Sequence, residues 1–140
     1  MAEEAYTKPN YLYKLVPSSA PVPEQPKLPK ALPVSDIDKA SGFIHLSTAP
    51  QVAGTLKFFF GQDKRVYVLR IEYDHVADKI KWEDPKAEVC GPRGGEGMFP
   101  HLYNELQLGK DEIERVEILE RGEESWDQPV YAASAEWLVW

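Results

Sequence analysis

The stretch SGFIHLSTAP, Ser41 to Pro50, places a histidine between two branched apolar residues and follows it with hydroxyls and a proline. Residues 43–47 read as a β-strand, because aromatic and branched side chains fit a pleated, half-buried surface. Thr48 and Pro50 then read as the cap and first turn of a helix that stops at Gly61. Val52, Leu56, Phe59 and Phe60 fall at helical spacing on one face of it. Successive strand residues point to opposite faces, so Ile44 and Leu46 turn one way and Phe43 and His45 the other. If the first pair faces the core, His45 faces solvent or a cleft. The plainer reading is a core imidazole whose nitrogens meet backbone carbonyls. Ser47 and Thr48 stand where the strand becomes a helix, a setting whose hydroxyls and free amides suit a phosphate or ribose oxygen.

A second histidine repeats the question in MFPHLY, 98–103. It reads as a strand that Pro100 would confine to a sheet edge or a bulge, since proline lacks the amide donor. Phe99, His101 and Tyr103 share one parity. They form either an aromatic cleft able to stack a planar ring or a packed edge of the core. In KIKWED, 79–84, Trp82 is a core candidate. Glu83 is either an exposed strand end or a carboxylate beside the cleft, where it would stabilise developing positive charge or accept a proton. His75 lies in the polar YDHVAD and is expected to face solvent. The three histidines show no metal-ligand spacing, so no metal is expected, although a distributed set would support a metal-assisted hydrolase. The loop AEVCGPRGGEG, 87–97, carries four glycines in its last seven residues but lacks the lysine and hydroxyl of a phosphate-binding P-loop. Arg93 within it can reach an anion.

The rest of the chain sets the frame. Its 140 residues, 43% apolar and 28% charged, suit one soluble domain with a modest core. A net charge of −7 opposes non-specific nucleic-acid binding, which needs clustered cations. The single cysteine, Cys90, has no intrachain partner, and the acidic N-terminus lacks the apolar core of a secretory signal. A cytoplasmic protein is expected, with the nucleus as the alternative, and no run is long enough for a membrane span. Residues 1–9 read as a flexible tail, and 11–16, 65–74 and 114–122 as strands. Residues 17–33 hold six prolines and read as an extended surface loop, a linker or a ligand for a partner protein. Ser35 or Asp36 caps a short helical turn. The C-terminal extension, 123–140, carries three tryptophans that need covering. Mostly strands, one clear helix and no βαβ alternation give an α+β fold of curved, largely antiparallel sheets.

In this order, YLYKL, GFIHLSTAPQVAGTLKFFFG, VYVLRIE, IKWED and MFPHLYNEL resemble a family of small bacterial, plant and fungal proteins of unknown function. The match spans residues 11–120, and the two histidine segments are its most specific features. The family's fold is similar to that of the ADP-ribosyltransferases, and its size and histidine use to the NAD-dependent RNA 2′-phosphotransferases. The chain departs from the family in its proline-rich loop, its longer glycine-rich insertion at 85–97 and its tryptophan-rich tail. The resemblance implies curved sheets around a cleft that binds NAD or ADP-ribose. His45 would hydrogen-bond the nicotinamide ribose, with help from Ser47 or Thr48. Phe99 or Tyr103 would stack on nicotinamide. The glutamate of the enzymes would be replaced by His101, with Glu83 as the other candidate, and Trp82 or Glu83 would line the same cleft. The implied activity is ribosyl transfer or hydrolysis; the alternative is a non-catalytic module that binds a nucleotide or a protein.

Overall fold

The computed structural model describes residues 8–83, 98–121 and 125–140. The glycine-rich insertion with Cys90 and Arg93, and most of the N-terminal tail, lie outside the described residues. Six strands form two three-stranded antiparallel sheets. The first has the order β1-β3-β6, from Tyr11–Pro17, Arg65–Glu72 and Ile113–Glu120. The second has the order β2-β5-β4, from Ile44–His45, Phe99–Leu102 and Ile80–Glu83. Helix α1 is Asp36–Ser41, α2 Ala49–Phe59, α3 the single turn Tyr73–Val76 and α4 Asp127–Ser134. The fold is therefore mixed α+β, with two small antiparallel sheets and short helices. No helix among the described residues is long and apolar enough to cross a membrane.

The core follows strand parity. Leu12, Leu69, Ile71 and Ile113 of the first sheet pack against Ile44, Leu46, Trp82 and Leu102 of the second. The opposite face of the first sheet, with Tyr13, Leu15, Val66, Val68 and Leu119, is covered by α2, α4 and the chain end through Val52, Leu56, Trp126, Ala133, Trp137 and Leu138. Strand β3 is thus buried on both faces, which is why VYVLRI is almost continuously apolar. The other face of the second sheet carries the polar side chains, and His101 and Glu83 on it are buried as well.

Pro100 departs from expectation. It lies on the central strand of its sheet, opposite Trp82, and not at an edge or a bulge. Its carbonyl accepts from Leu46 N–H at 3.1 Å, but it has no N–H to return the bond. Pairing between β2 and β5 lapses at this point. One residue on, Ser47 exchanges two 2.8 Å backbone bonds with Tyr13 of β1. The missing donor falls where the chain crosses from one sheet to the other.

Three other expectations change. Phe59 does not share the buried face of α2. Val52, Leu56 and the half-buried Phe60 repeat every fourth residue inward, while Phe58 and Phe59 are 81% and 75% exposed. Strand β3 stops at Glu72 and gives way to the α3 turn. The proline-rich segment lies along the body: Val22 and Leu28 enter the core, Leu32 N–H donates to Leu108 O, and Lys110 N–H to Pro29 O. Gly109 makes this approach feasible, because a Cβ there would strike the Pro29 and Lys30 carbonyls.

The C-terminal extension is docked as its tryptophans require. Trp126 and Trp137 are buried. The Tyr13 hydroxyl accepts from Val139 N–H and lies within bonding distance of the Trp137 and Val139 carbonyls. Arg70, bidentate with Glu114 at the β3–β6 register shift, donates to Trp137 O at 2.9 Å.

Candidate functional site

Register puts the two histidines face to face. His45 of β2 lies directly opposite His101 of β5, and their ring centroids are 5.0 Å apart. Each ring uses Nδ1 on a carboxylate of its own. His101 Nδ1 lies 2.8 Å from Glu83 Oε1, and His45 Nδ1 lies 2.6 Å from Asp38 Oδ1. These bonds fix both ring orientations and leave Nε2 of each outside the carboxylate pairs.

The two carboxylates are held differently. Glu83 reaches His101 along the sheet, since β4 pairs with β5 and Glu83 sits on the same face two residues after the partner of His101, Lys81. The same Oε1 accepts from Tyr103 Oη at 2.7 Å. Asp38 comes from α1, where Ser35 caps the helix by accepting from Asp38 N–H. Gly42 closes the helix at φ 83°, a conformation glycine adopts without penalty, and the chain turns back so that residue 45 meets residue 38. Asp38 Oδ1 also accepts from His45 N–H at 3.2 Å, and Oδ2 pairs with Lys14 Nζ at 2.6 Å. Lys14 donates in turn to His45 O. Phe43 binds the group together: its ring stacks on His101 at 4.3 Å and touches His45 at 4.7 Å and Tyr103 at 4.9 Å.

Burial and charge set the protonation states. Burial lowers the pKa of His101 and outweighs the opposing pull of Glu83, so its imidazole is neutral near pH 7. With a carboxylate at Nδ1, the proton resides on Nδ1 and Nε2 carries the lone pair. Burial alone would raise Asp38, but the bond from His45 and the charge of Lys14 prevail and hold its carboxyl below the usual range. Burial and the hydrogen bond to Glu83 push the Tyr103 phenol up to about 12. The arrangement is a pair of imidazoles oriented at Nδ1, and the Nε2 lone pair of His101 is suited to accept a hydrogen bond or a proton.

His45, His101, Glu83 and Tyr103 are brought together, and register puts half-exposed Phe99 on the same face, opposite Glu83. Ser47 and Thr48 are buried away from these rings. The Ser47 backbone bridges to Tyr13, and Thr48 N–H donates to the Gln51 side chain in the first turn of α2. Trp82 faces the core, near Tyr73. Arg93 lies outside the described residues, and His75 is exposed. Among the described residues no group of three histidine, cysteine, aspartate or glutamate side chains is placed to hold a metal ion. An apolar groove of about 330 Å3 exists elsewhere, lined by α2, α4 and Trp140.

Phe43, on the strand face of His45, completes the site together with Asp38 and Lys14, two residues the sequence does not single out for it. Lys14 carried a signal: it shares strand parity with Leu12 and Val16, so it points inward and needs a counter-charge.

A family model described as "Protein of unknown function (DUF952)" matches residues 22–116. The crystal structure of protein CC0527 from Caulobacter crescentus is 27% identical, with a TM-score of 0.59, over 82% of this chain and 90% of that one. The solution NMR structure of CC0527 gives the same identity and TM-score over 83% of this chain and 90% of that one. None of the curated proteins matches.

Proposed function

The chain belongs to the DUF952 family, whose matched span contains both histidine–carboxylate pairs, and we propose that the histidine face binds the ribose of NAD or an ADP-ribosyl nucleotide and promotes ribosyl transfer or hydrolysis. The observation that carries the reading is the opposed His45–His101 pair, each ring oriented at Nδ1 by a buried carboxylate. The resemblance of the sequence to an ADP-ribosyltransferase-like family and the two small antiparallel sheets support it.

In this reading, His45 Nε2 accepts a hydrogen bond from a hydroxyl of the nicotinamide ribose. Nicotinamide leaves with the electron pair of its glycosidic bond, and the ribose carbon becomes oxocarbenium-like. As water or an acceptor hydroxyl bonds to that carbon, His101 Nε2 takes its proton. Glu83, already at Nδ1, stabilises the resulting imidazolium more than the neutral ring, so it helps the transition state selectively. Glu83 Oε1 is already bonded to both His101 and Tyr103, which makes it a positioning residue for His101. Phe99 and Tyr103 offer the rings for nicotinamide.

The near-complete burial of His101, 1% exposed, favours a second reading, binding without turnover. One experiment separates the two. NAD is incubated with the protein and free nicotinamide is measured. The enzyme reading expects His101→Ala to lower the rate by about a hundredfold with little change in affinity. It expects His45→Ala to weaken binding roughly two- to tenfold, the value of one neutral hydrogen bond. Binding of NAD without nicotinamide release supports the second reading. Absence of binding by NAD and ADP-ribose overturns both.

A further inference from the structure

The pairing of all three strands in the second sheet extends the histidine pair by one residue. His45 is opposite His101, and His101 is opposite Lys81. The three therefore form a straight cross-strand row on one face, with neighbours about 5 Å apart at Cβ. Lys81 is exposed, and its Nζ sits 4.5 Å from the centroid of the Tyr103 ring, on the side of the row where Tyr103 reaches Glu83. Among the described residues it makes no salt bridge, unlike Lys14, which is committed to Asp38. Among the described residues, the acidic groups near the row are occupied. Asp38 is taken by Lys14 and His45, and Glu83 by His101 and Tyr103.

From this row we infer that Lys81 anchors a phosphate group, with Nε2 of the partly exposed His45 receiving a sugar hydroxyl of the same ligand. The inference rests on the reading of this face as a nucleotide site and names the part of the ligand that supplies its affinity. A lysine ammonium is a mobile point charge on a long stem, suited to a phosphate whose position varies. A chain of net charge −7 repels anions in general, so a phosphate ligand needs a local cation of this kind. His101, which burial keeps neutral near pH 7, does not supply it. The row thus divides the work: the cation for the phosphate, an imidazole for the ribose.

The test compares ADP-ribose with adenosine by calorimetric titration, using the wild type, Lys81→Met, Lys81→Arg and Lys57→Met, a control on exposed α2. ADP-ribose is expected to bind at least tenfold tighter than adenosine. Lys81→Met should weaken ADP-ribose roughly three- to tenfold, with no change for adenosine, and the loss should shrink at high salt. Lys81→Arg should restore most of the affinity, and Lys57→Met should have no effect. Equal ADP-ribose affinity in Lys81→Met and wild type overturns the inference, as does an equal loss for adenosine. If neither nucleotide binds, the nucleotide reading fails, and the phosphate site is judged alone with inorganic pyrophosphate. Shifts of the His45 and His101 ring resonances that Lys81→Met abolishes would then sustain it, and their absence would overturn it.

Discussion

Replacing Asp38 by asparagine keeps the shape of the side chain and removes its charge. In the native protein that charge is 2% exposed and faces Lys14 at 2.6 Å. Lys14 is itself only 13% exposed, so the substitution strands a cation in a poorly hydrated place. Removing one partner of a buried pair costs about 3–5 kcal/mol, and the bond from Lys14 to His45 O keeps the expected loss near the lower end, about 3 kcal/mol. With a urea m-value of about 2 kcal/mol per M, the unfolding midpoint should fall by roughly 1.5 M at pH 7. A second substitution, Lys14→Met, should recover much of the loss, because it removes the unpaired charge. The effect should also depend on pH in a defined direction. The native pKa of Asp38 lies below that of the unfolded chain, about 3.9, so the carboxylate stabilises fully above that value. Its contribution disappears as pH falls through the native pKa. Wild type and Asp38→Asn should therefore differ by the full amount at pH 7 and converge as pH falls below 4. A loss smaller than about 1 kcal/mol at pH 7, or no recovery in the double variant, would refute the reasoning.

Other perturbations test neighbouring parts of the account. By ring-proton NMR, His101 should titrate below the free-histidine value of about 6.5, and Glu83→Gln should lower it further by removing the charge that favours the imidazolium. Gly109→Ala should cost about 1–3 kcal/mol, read as a lower melting temperature, because its Cβ meets backbone of the proline-rich strap. Tyr13→Phe should cost about 0.5–1.5 kcal/mol in urea denaturation, since it removes the hydroxyl that accepts from Val139 N–H and reaches the Trp137 and Val139 carbonyls, and it should speed amide exchange over 137–140.

Local alternation in the sequence already sorted the second sheet. It grouped Ile44 with Leu46, Phe43 with His45, and Phe99 with His101 and Tyr103. The cap and stop of α2 were likewise visible in Thr48, Pro50 and Gly61. What alternation cannot provide is which strand lies beside which. The His45–His101 contact joins residues 56 apart, and its register depends on where Pro100 interrupts the pairing. Asp38 was hidden by a second role: three residues after Ser35, it looks like an ordinary helix-start acid. Phe59 stands at helical spacing from Val52 and Leu56, yet tertiary packing buries the i, i+4 series through Phe60 and leaves Phe59 exposed. The helix α4 is obscured by the tryptophans that flank it, Trp126 before and Trp137 after, which point to burial and away from the alanines between them.

The most direct test of the central claim is a titration of the protein with ADP-ribose, observed at the ring nitrogens of its three histidines by NMR. The account predicts that Nε2 of both His45 and His101 shifts in a saturable way, that their Nδ1 atoms stay protonated against Asp38 and Glu83, and that solvent-facing His75 is unmoved. Saturating ADP-ribose with no change at His45 and His101 would contradict it.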